Sequence, residues 1–332
     1  MAHHSFPEHM KRLLVGEPIP SSLAHHERFS RLTGLAVLSS DCLSSVAYSI
    51  EEVLRVLILG GVAALHTSIP IGILISVLLA VVAFSYRQTI HAYPTGGGAY
   101  IVAKGNIGPM AGLTAASSLF IDYTLTVAVS VASGVAAVTS AFPPLLPYRV
   151  ELTLAFVGML IVGNLRGVRD SGRIFAVPTY FFIGTVLTLL GVGAWRYASG
   201  TVEAVTVPDP MHQTVGTLSL FMLLTAFSNG CSAMTGVEAV SNGVPAFRPP
   251  ESKHAAQTLV TMAALAITMI LGLTLMASAY HVVPSEHETI ISQIARGAFG
   301  GRHLPYYLVQ AATMLILVLA ANTAYAYFPR LA

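Results

Sequence analysis

The run Ser39-Ser40-Asp41-Cys42-Leu43-Ser44-Ser45-Val46-Ala47-Tyr48-Ser49-Ile50-Glu51-Glu52 sits inside the first long apolar stretch of the chain and interrupts it with five serines, three acids and a tyrosine. An ionised aspartate at the centre of a membrane-spanning helix costs about 2.5–3.5 kcal/mol on insertion scales. Such a residue is tolerated where it faces a cavity or a partner. Asp41 and Tyr48 are seven residues apart, so a continuous helix puts them on one face. Serine hydroxyls compete for backbone groups and favour a local break.

Outward from this run, the whole chain reads as membrane-embedded. Of 332 residues only 10% are charged and 54% are hydrophobic, against about 25% charged in soluble domains. Mean hydropathy is +0.71. A soluble protein of this size needs a charged surface that this composition cannot supply. The net charge of +2 suggests no nucleic-acid partner. Spans need about 20 mostly apolar residues. Eight can be read: Thr33–Gly61, Thr67–Ile90, Pro109–Ala141, Val150–Asn164, Arg173–Tyr197, Thr217–Ala246, His254–Val283 and Leu304–Tyr325. Residues 1–32 form a polar tail without the apolar core and cleavage site of a signal peptide.

Placing the N-terminus in the cytoplasm puts twelve Lys and Arg residues inside and five outside, the excess expected of the inner face. The inside set includes Lys11, Arg12, Arg166, Arg169, Arg173 and Arg330. Cys42 and Cys231 lie in apolar runs and read as buried small residues rather than a disulfide framework or metal site.

The sixth segment repeats the interruption with Ser228-Asn229-Gly230-Cys231-Ser232-Ala233-Met234-Thr235-Gly236-Val237-Glu238. Gly230 and Gly236 permit backbone geometry that other residues resist. Thr235 and Glu238, spaced i,i+3, are expected to share a face. Two interrupted helices five segments apart point to an inverted-repeat transporter with its site at mid-membrane. Residues 33–197 would be the first repeat, and residues 198–332 the start of a second that stops after three helices. The third segment adds Asp122 inside an apolar run, with Thr126 one turn further on. Glu51 and Glu52 read as vestibule residues near the outer interface. Gly96-Gly97-Gly98 reads either as a gate or as a tight turn.

These residues resemble a known family. Ser40 to Tyr48 with Glu51-Glu52 is similar to the first helix of the KimA-type bacterial potassium importers, grouped with the KUP transporters in the amino acid–polyamine–organocation superfamily. Tyr93 to Lys104, Asp122 to Thr126, Thr235 to Glu238 and Ala321 to Tyr325 carry further matches, from about residue 28 onward. The resemblance implies an all-α polytopic LeuT-type fold with a 5+5 inverted repeat, truncated here after about eight helices. It implies a proton-coupled potassium symporter in the bacterial inner membrane that assembles as a homodimer. Potassium would be bound by Asp41, Tyr48, Asp122, Thr126 and Thr235, with Asp41 and Asp122 supplying the charge. Glu238 is the candidate for proton coupling. The only non-protein species implied are the transported K+ and H+, with no cofactor.

The main alternative is an amino-acid or polyamine permease of the same superfamily. A permease of that kind binds a substrate carboxylate through backbone N–H groups at a glycine-flanked break. The first-helix run holds Asp41 and no glycine, which favours a cation. A membrane enzyme lacks support, because no HExxH, GxSxG or phosphate loop occurs. A channel fits two broken helices less well than a carrier does.

Overall fold

A computed structural model describes residues 28–165, 172–202, 204–207, 211 and 218–331, with side chains left out at 165, 172–174 and 326–331. The expectations for Lys11, Arg12, Arg166, Arg169 and the side chains of Arg173 and Arg330 lie outside the described residues.

The described chain is a helical membrane protein. Seven of its helical stretches are long and apolar enough to cross a membrane: Val62–Ala92, Pro109–Ala141, Pro143–Asn164, Phe175–Ala198, Leu220–Asn242, Glu251–Ala279 and Leu304–Tyr325. They correspond to the second to eighth segments read from the sequence. The first segment falls short by that measure for the reason its sequence suggests. It is two helices, α1 (Arg31–Leu38) and α2 (Ser40–Leu57), parted at Ser39. The expected serine-driven unwinding is confined to that one residue. Ser39 Oγ donates to the Leu35 carbonyl, and Ser40 Oγ to the Val37 carbonyl at 3.2 Å. Ser44 and Ser45 donate to the Asp41 carbonyl at 2.8 and 2.9 Å. These back-bonds keep the serines inside the helices instead of dissolving them.

The second segment is α3 (Ser68–Ala92). A turn and the short helix α4 (Ala99–Asn106) follow. Then come α5 (Pro109–Ala141), α6 (Arg149–Leu165) and α7 (Gly172–Ala198). The sixth segment is broken outright. Helix α8 (Leu220–Gly230) passes into a 3-10 turn at Cys231–Met234, and α9 (Val237–Asn242) resumes beyond Thr235 and Gly236. The remainder is α10 (Glu251–Ala279), α11 (Ile290–Phe299) and α12 (Leu304–Leu331).

Helix α2 is the hub. It is buried along nearly its whole length and packs against α8, α10 and α12. Helix α12 also packs on α5 and α7, and α10 on α3. Polar ties fix these contacts. Thr179 Oγ1 donates 2.9 Å to the Ala36 carbonyl, and Asn164 Nδ2 donates 2.9 Å to Asn322 Oδ1. Ser40 Oγ lies 3.4 Å from Thr323 Oγ1. The N-terminal end of α1 is bridged to the loop after α9. Phe29 N donates to Ala246 O at 2.7 Å, and Arg248 N donates to Phe29 O at 3.0 Å.

The two glycines of the broken segment have different reasons. Gly236 has φ +77° and is left-handed, and a Cβ there would fall 2.8 Å from both Asp41 Cβ and Cys42 N. Gly230 has an ordinary helical φ of −65°. It is small because Val53 and Ile75 leave no room for a side chain.

Gly236→Ala is expected to destabilise the protein by about 1–3 kcal/mol from backbone strain alone, with the clash adding to it. A fall in melting temperature of the detergent-purified variant checks this; an unchanged melting curve would mean that the turn is not held as described.

Candidate functional site

Asp41 lies in the first turn of α2 and is 6% exposed. The break in the sixth segment brings Thr235 against it, with Thr235 Oγ1 donating to Asp41 Oδ1 at 3.4 Å. Ser45 Oγ joins the group, 2.6 Å from Thr235 Oγ1 and 2.9 Å from the Tyr48 hydroxyl. Cys42 Sγ donates to the Ala233 carbonyl at 3.8 Å, tying α2 to the 3-10 turn. Asp41, Ser45 and Tyr48 occupy successive turns of one helix face, as the i, i+4, i+7 spacing dictates. The result is a compact set of acceptor oxygens at the level where the first and sixth segments are both interrupted.

Asp122 of α5 is half-buried, and Thr126 one turn on is buried. The Asp122 carboxylate is within electrostatic reach of both Asp41 and Glu238. Among the described residues no hydrogen bond joins Asp122 or Thr126 to the Asp41 group. Of the six residues read from the sequence, Asp41, Tyr48 and Thr235 thus form one hydrogen-bonded unit. Asp122 stands outside that unit, within electrostatic reach of Asp41.

Glu238 belongs to a different constellation, which corrects the expected shared face with Thr235. The left-handed Gly236 lies between them, so the two residues are not on one continuous helix. Thr235 turns to Asp41, while Glu238 turns to the loop after α3. Glu238 Oε1 accepts from Ala99 N at 2.9 Å and from Asn242 Nδ2 at 3.3 Å, and Oε2 accepts from the Tyr86 hydroxyl at 3.4 Å. Asn242 Oδ1 accepts from Gly98 N at 2.7 Å. These amides open α4 and have no acceptor within their own helix. A carboxylate there also meets the positive end of the helix. Gly98 is required for this approach, because a Cβ would overlap both the Glu238 carboxylate and the Asn242 amide. The glycine stretch is therefore a turn that ends in a clasp.

Beyond Tyr48, away from the N-terminal end of α1, a cavity of about 190 Å³ opens between Glu51, Glu52, Arg55 and Arg149. Glu51 is buried, as a vestibule residue packed under its partners. Its Oε1 accepts from Arg55 at 2.9 Å and its Oε2 from Ile290 N at 3.3 Å, the first residue of α11. Glu286 lies 3.7 Å from Arg55 and 3.5 Å from Arg149. The Thr313 hydroxyl, buried in the cavity wall, has no hydrogen-bond partner among the described residues.

A family model described as amino acid permease matches residues 29–332. The chain belongs to that family. It is 46% identical over 328 residues to the potassium transporter KimA of Bacillus subtilis (strain 168), a match that covers 97% of this chain. The chain spans about half the length of that relative, 53% of it. Membership of a permease family and the helical architecture together mark a multi-pass membrane protein.

Sequence reasoning missed Ser45, the atom through which Tyr48 and Thr235 are joined, because one serine among five carries no distinguishing signal. It also missed Tyr86 and Asn242. Asn242 stands four residues after Glu238, a spacing that could have flagged a shared face.

Glu238→Ala is expected to release the Ala99 amide. A hydrogen bond to a charged group is worth about 1.5–3 kcal/mol, so exchange at this amide should accelerate about 10- to 100-fold. Hydrogen–deuterium exchange of the purified variant reads this directly, and protection equal to wild type at residues 98–101 would disprove the clasp.

Proposed function

We propose that this protein takes up potassium across the plasma membrane as a proton-coupled secondary transporter. The observation that carries the reading is the set of oxygens around Asp41 where two helices break. Potassium exchanges its hydration shell for oxygen ligands readily. An acid held inside a bilayer protein is by default a functional candidate with a cationic partner. Asp41, Tyr48 and Thr235 form one wall of the proposed site and Asp122 with Thr126 the other. The 46% identity to a protein named as a potassium transporter supports the same cargo.

Glu238 is the proposed proton acceptor. It receives three hydrogen bonds, and the one from the Ala99 amide closes the loop after α3 onto α9. A proton on that carboxylate weakens it as an acceptor and so loosens the clasp. In this reading the N-terminal ends of α1 and α10 face the cytoplasm, where the Lys and Arg excess falls. Residues 33–197 and 198–332 are read as one inverted repeat and the start of the next, and a homodimer is the assembly that the resemblance implies. The family description favours one rival, an amino-acid substrate.

Potassium-limited growth and rubidium uptake are the tests, in cells stripped of other potassium importers and expressing the complete reading frame. Asp41→Asn and Asp122→Asn are each expected to lower uptake on the order of tenfold or more, the loss that corresponds to about 1.4 kcal/mol, at unchanged membrane abundance. A protonophore should abolish accumulation, and Glu238→Gln should remove the dependence on the proton gradient. A well-expressed wild type that moves labelled amino acids and not rubidium would overturn the potassium reading.

A further inference from the structure

The face of the molecule that carries the N-terminal end of α1 holds a second concave feature, separate from the Asp41 group. A cleft of about 750 Å³ lies where the start of α1, the end of α3 and the start of α10 converge. Arg31 enters it from α1, Arg87 and His91 from α3, and Lys253 from α10. Arg87 and His91 are one helical turn apart and share a face. Arg31, Arg87 and Lys253 are exposed, and among the described residues none of them has a carboxylate within ion-pair distance. The nearby acid at the start of α10, Glu251, is already held by Arg28 at 2.7 Å.

The walls of the same cleft are apolar. Leu32 is 68% exposed and Val260 50%, and both line it. Thr258, at the base, is 2% exposed, and its hydroxyl is without a partner among the described residues. Cations at the mouth, open apolar side chains beside them and a free hydroxyl at the base make an amphipathic socket at the end of membrane-spanning helices. A purely aqueous anion would leave Leu32 and Val260 in water. A neutral lipid would leave the cations unanswered.

We propose that this cleft binds the headgroup of an anionic phospholipid, with its phosphate at Arg31, Arg87 and Lys253 and the upper part of its acyl chains along Leu32 and Val260. Basic pockets between helices at a membrane surface recognise anionic headgroups in this way. Because the cleft is framed by α1 and α10, a bound lipid bridges the first helix of one proposed repeat to the second helix of the other. The inference stands apart from the transport substrate, since its readout is lipid retention and not uptake.

The test is native mass spectrometry of the purified protein released from nanodiscs of phosphatidylcholine mixed with phosphatidylglycerol. The wild type is expected to retain phosphatidylglycerol preferentially. The double variant Arg87→Gln/Lys253→Gln should lose that preference about tenfold or more, the order expected when two cations are removed from an anionic headgroup. Lys104→Gln, a cation on α4 outside the cleft, should keep it, which separates a site from a general effect of charge. Melting temperature confirms that each variant is folded, and Arg87→Lys should restore retention. Equal retention by wild type and double variant, or equal retention of the two lipids, would overturn the proposal. So would displacement of the lipid by inorganic phosphate, which would mark a small-anion site. Retention that arises only after removal of residues 1–27 would make the tail the occupant and would also overturn it.

Discussion

A carboxylate buried among apolar helices must be given partners, and Asp41 dictates much of this architecture through that demand. The side-chain partner of the carboxylate among the described residues is the hydroxyl of Thr235, which comes from the broken sixth segment. That hydroxyl reaches Asp41 only because the sixth segment abandons α-geometry between Gly230 and Val237. Gly236 then lies so close to Asp41 and Cys42 that any side chain would collide with them. The same left-handed turn aims Glu238 away from the acid pair and onto the amide of Ala99, while Asn242 of the same short helix takes the amide of Gly98. One buried acid is thereby linked mechanically, through the four residues Thr235 to Glu238, to the loop that joins α3 to α5.

The two ends of this core are fastened by different physics. At the N-terminal end of α1, backbone hydrogen bonds join Phe29 to Ala246 and Arg248, and the ring of Phe247 packs edge-on to Phe29 at 6.5 Å between centroids. At the other end, Glu51 is held within a helix turn of Arg55 and also caps α11. The link onward to Arg149 runs through Glu286, whose side chain is 55% exposed, over distances of 3.5 and 3.7 Å. Exposed pairs of that kind contribute about 0–1 kcal/mol. Glu51 to α11 is a fixed seam, whereas Glu286 is a contact that water can replace at little cost.

The spans were legible because length and apolarity are properties of contiguous sequence. The third segment, Pro109–Ala141, coincides with its helix end to end. The interruptions were legible as well, since acids and glycines inside apolar runs conflict with a smooth helix. What the sequence concealed was direction. Thr235 and Glu238 have the spacing of helix neighbours, yet a single left-handed residue between them sends their side chains to different partners. The serine-rich run looked like an unwound stretch, but its hydroxyls bond back to their own helix and leave a break at Ser39 alone. Glu238 finds its partner in the backbone amide of Ala99, 139 residues away. A backbone donor leaves no mark on residue identity beyond the glycine that makes room for it.

The chemistry of the break also bears on which kind of substrate the site suits. A permease that binds a carboxylate offers it the free N–H groups at the start of a half-helix, where the positive end of the dipole lies. Here the first turn of α2 already contains Asp41, so that positive end is answered by the protein's own carboxylate. Across from it, α8 ends at Gly230 and the 3-10 turn runs to Met234, and the carbonyl end of a half-helix is the end that favours a cation. The serine hydroxyls add to this polarity. Ser44 and Ser45 both spend their donors on the Asp41 carbonyl, and the Ser45 oxygen is further engaged by the Tyr48 and Thr235 hydroxyls, so neither serine has a proton left to offer an anion. An amino acid's carboxylate would meet a negative charge and the carbonyl end of a helix. A desolvated monovalent cation would meet both favourably, and that asymmetry, rather than the family's name, is what favours potassium over an amino acid.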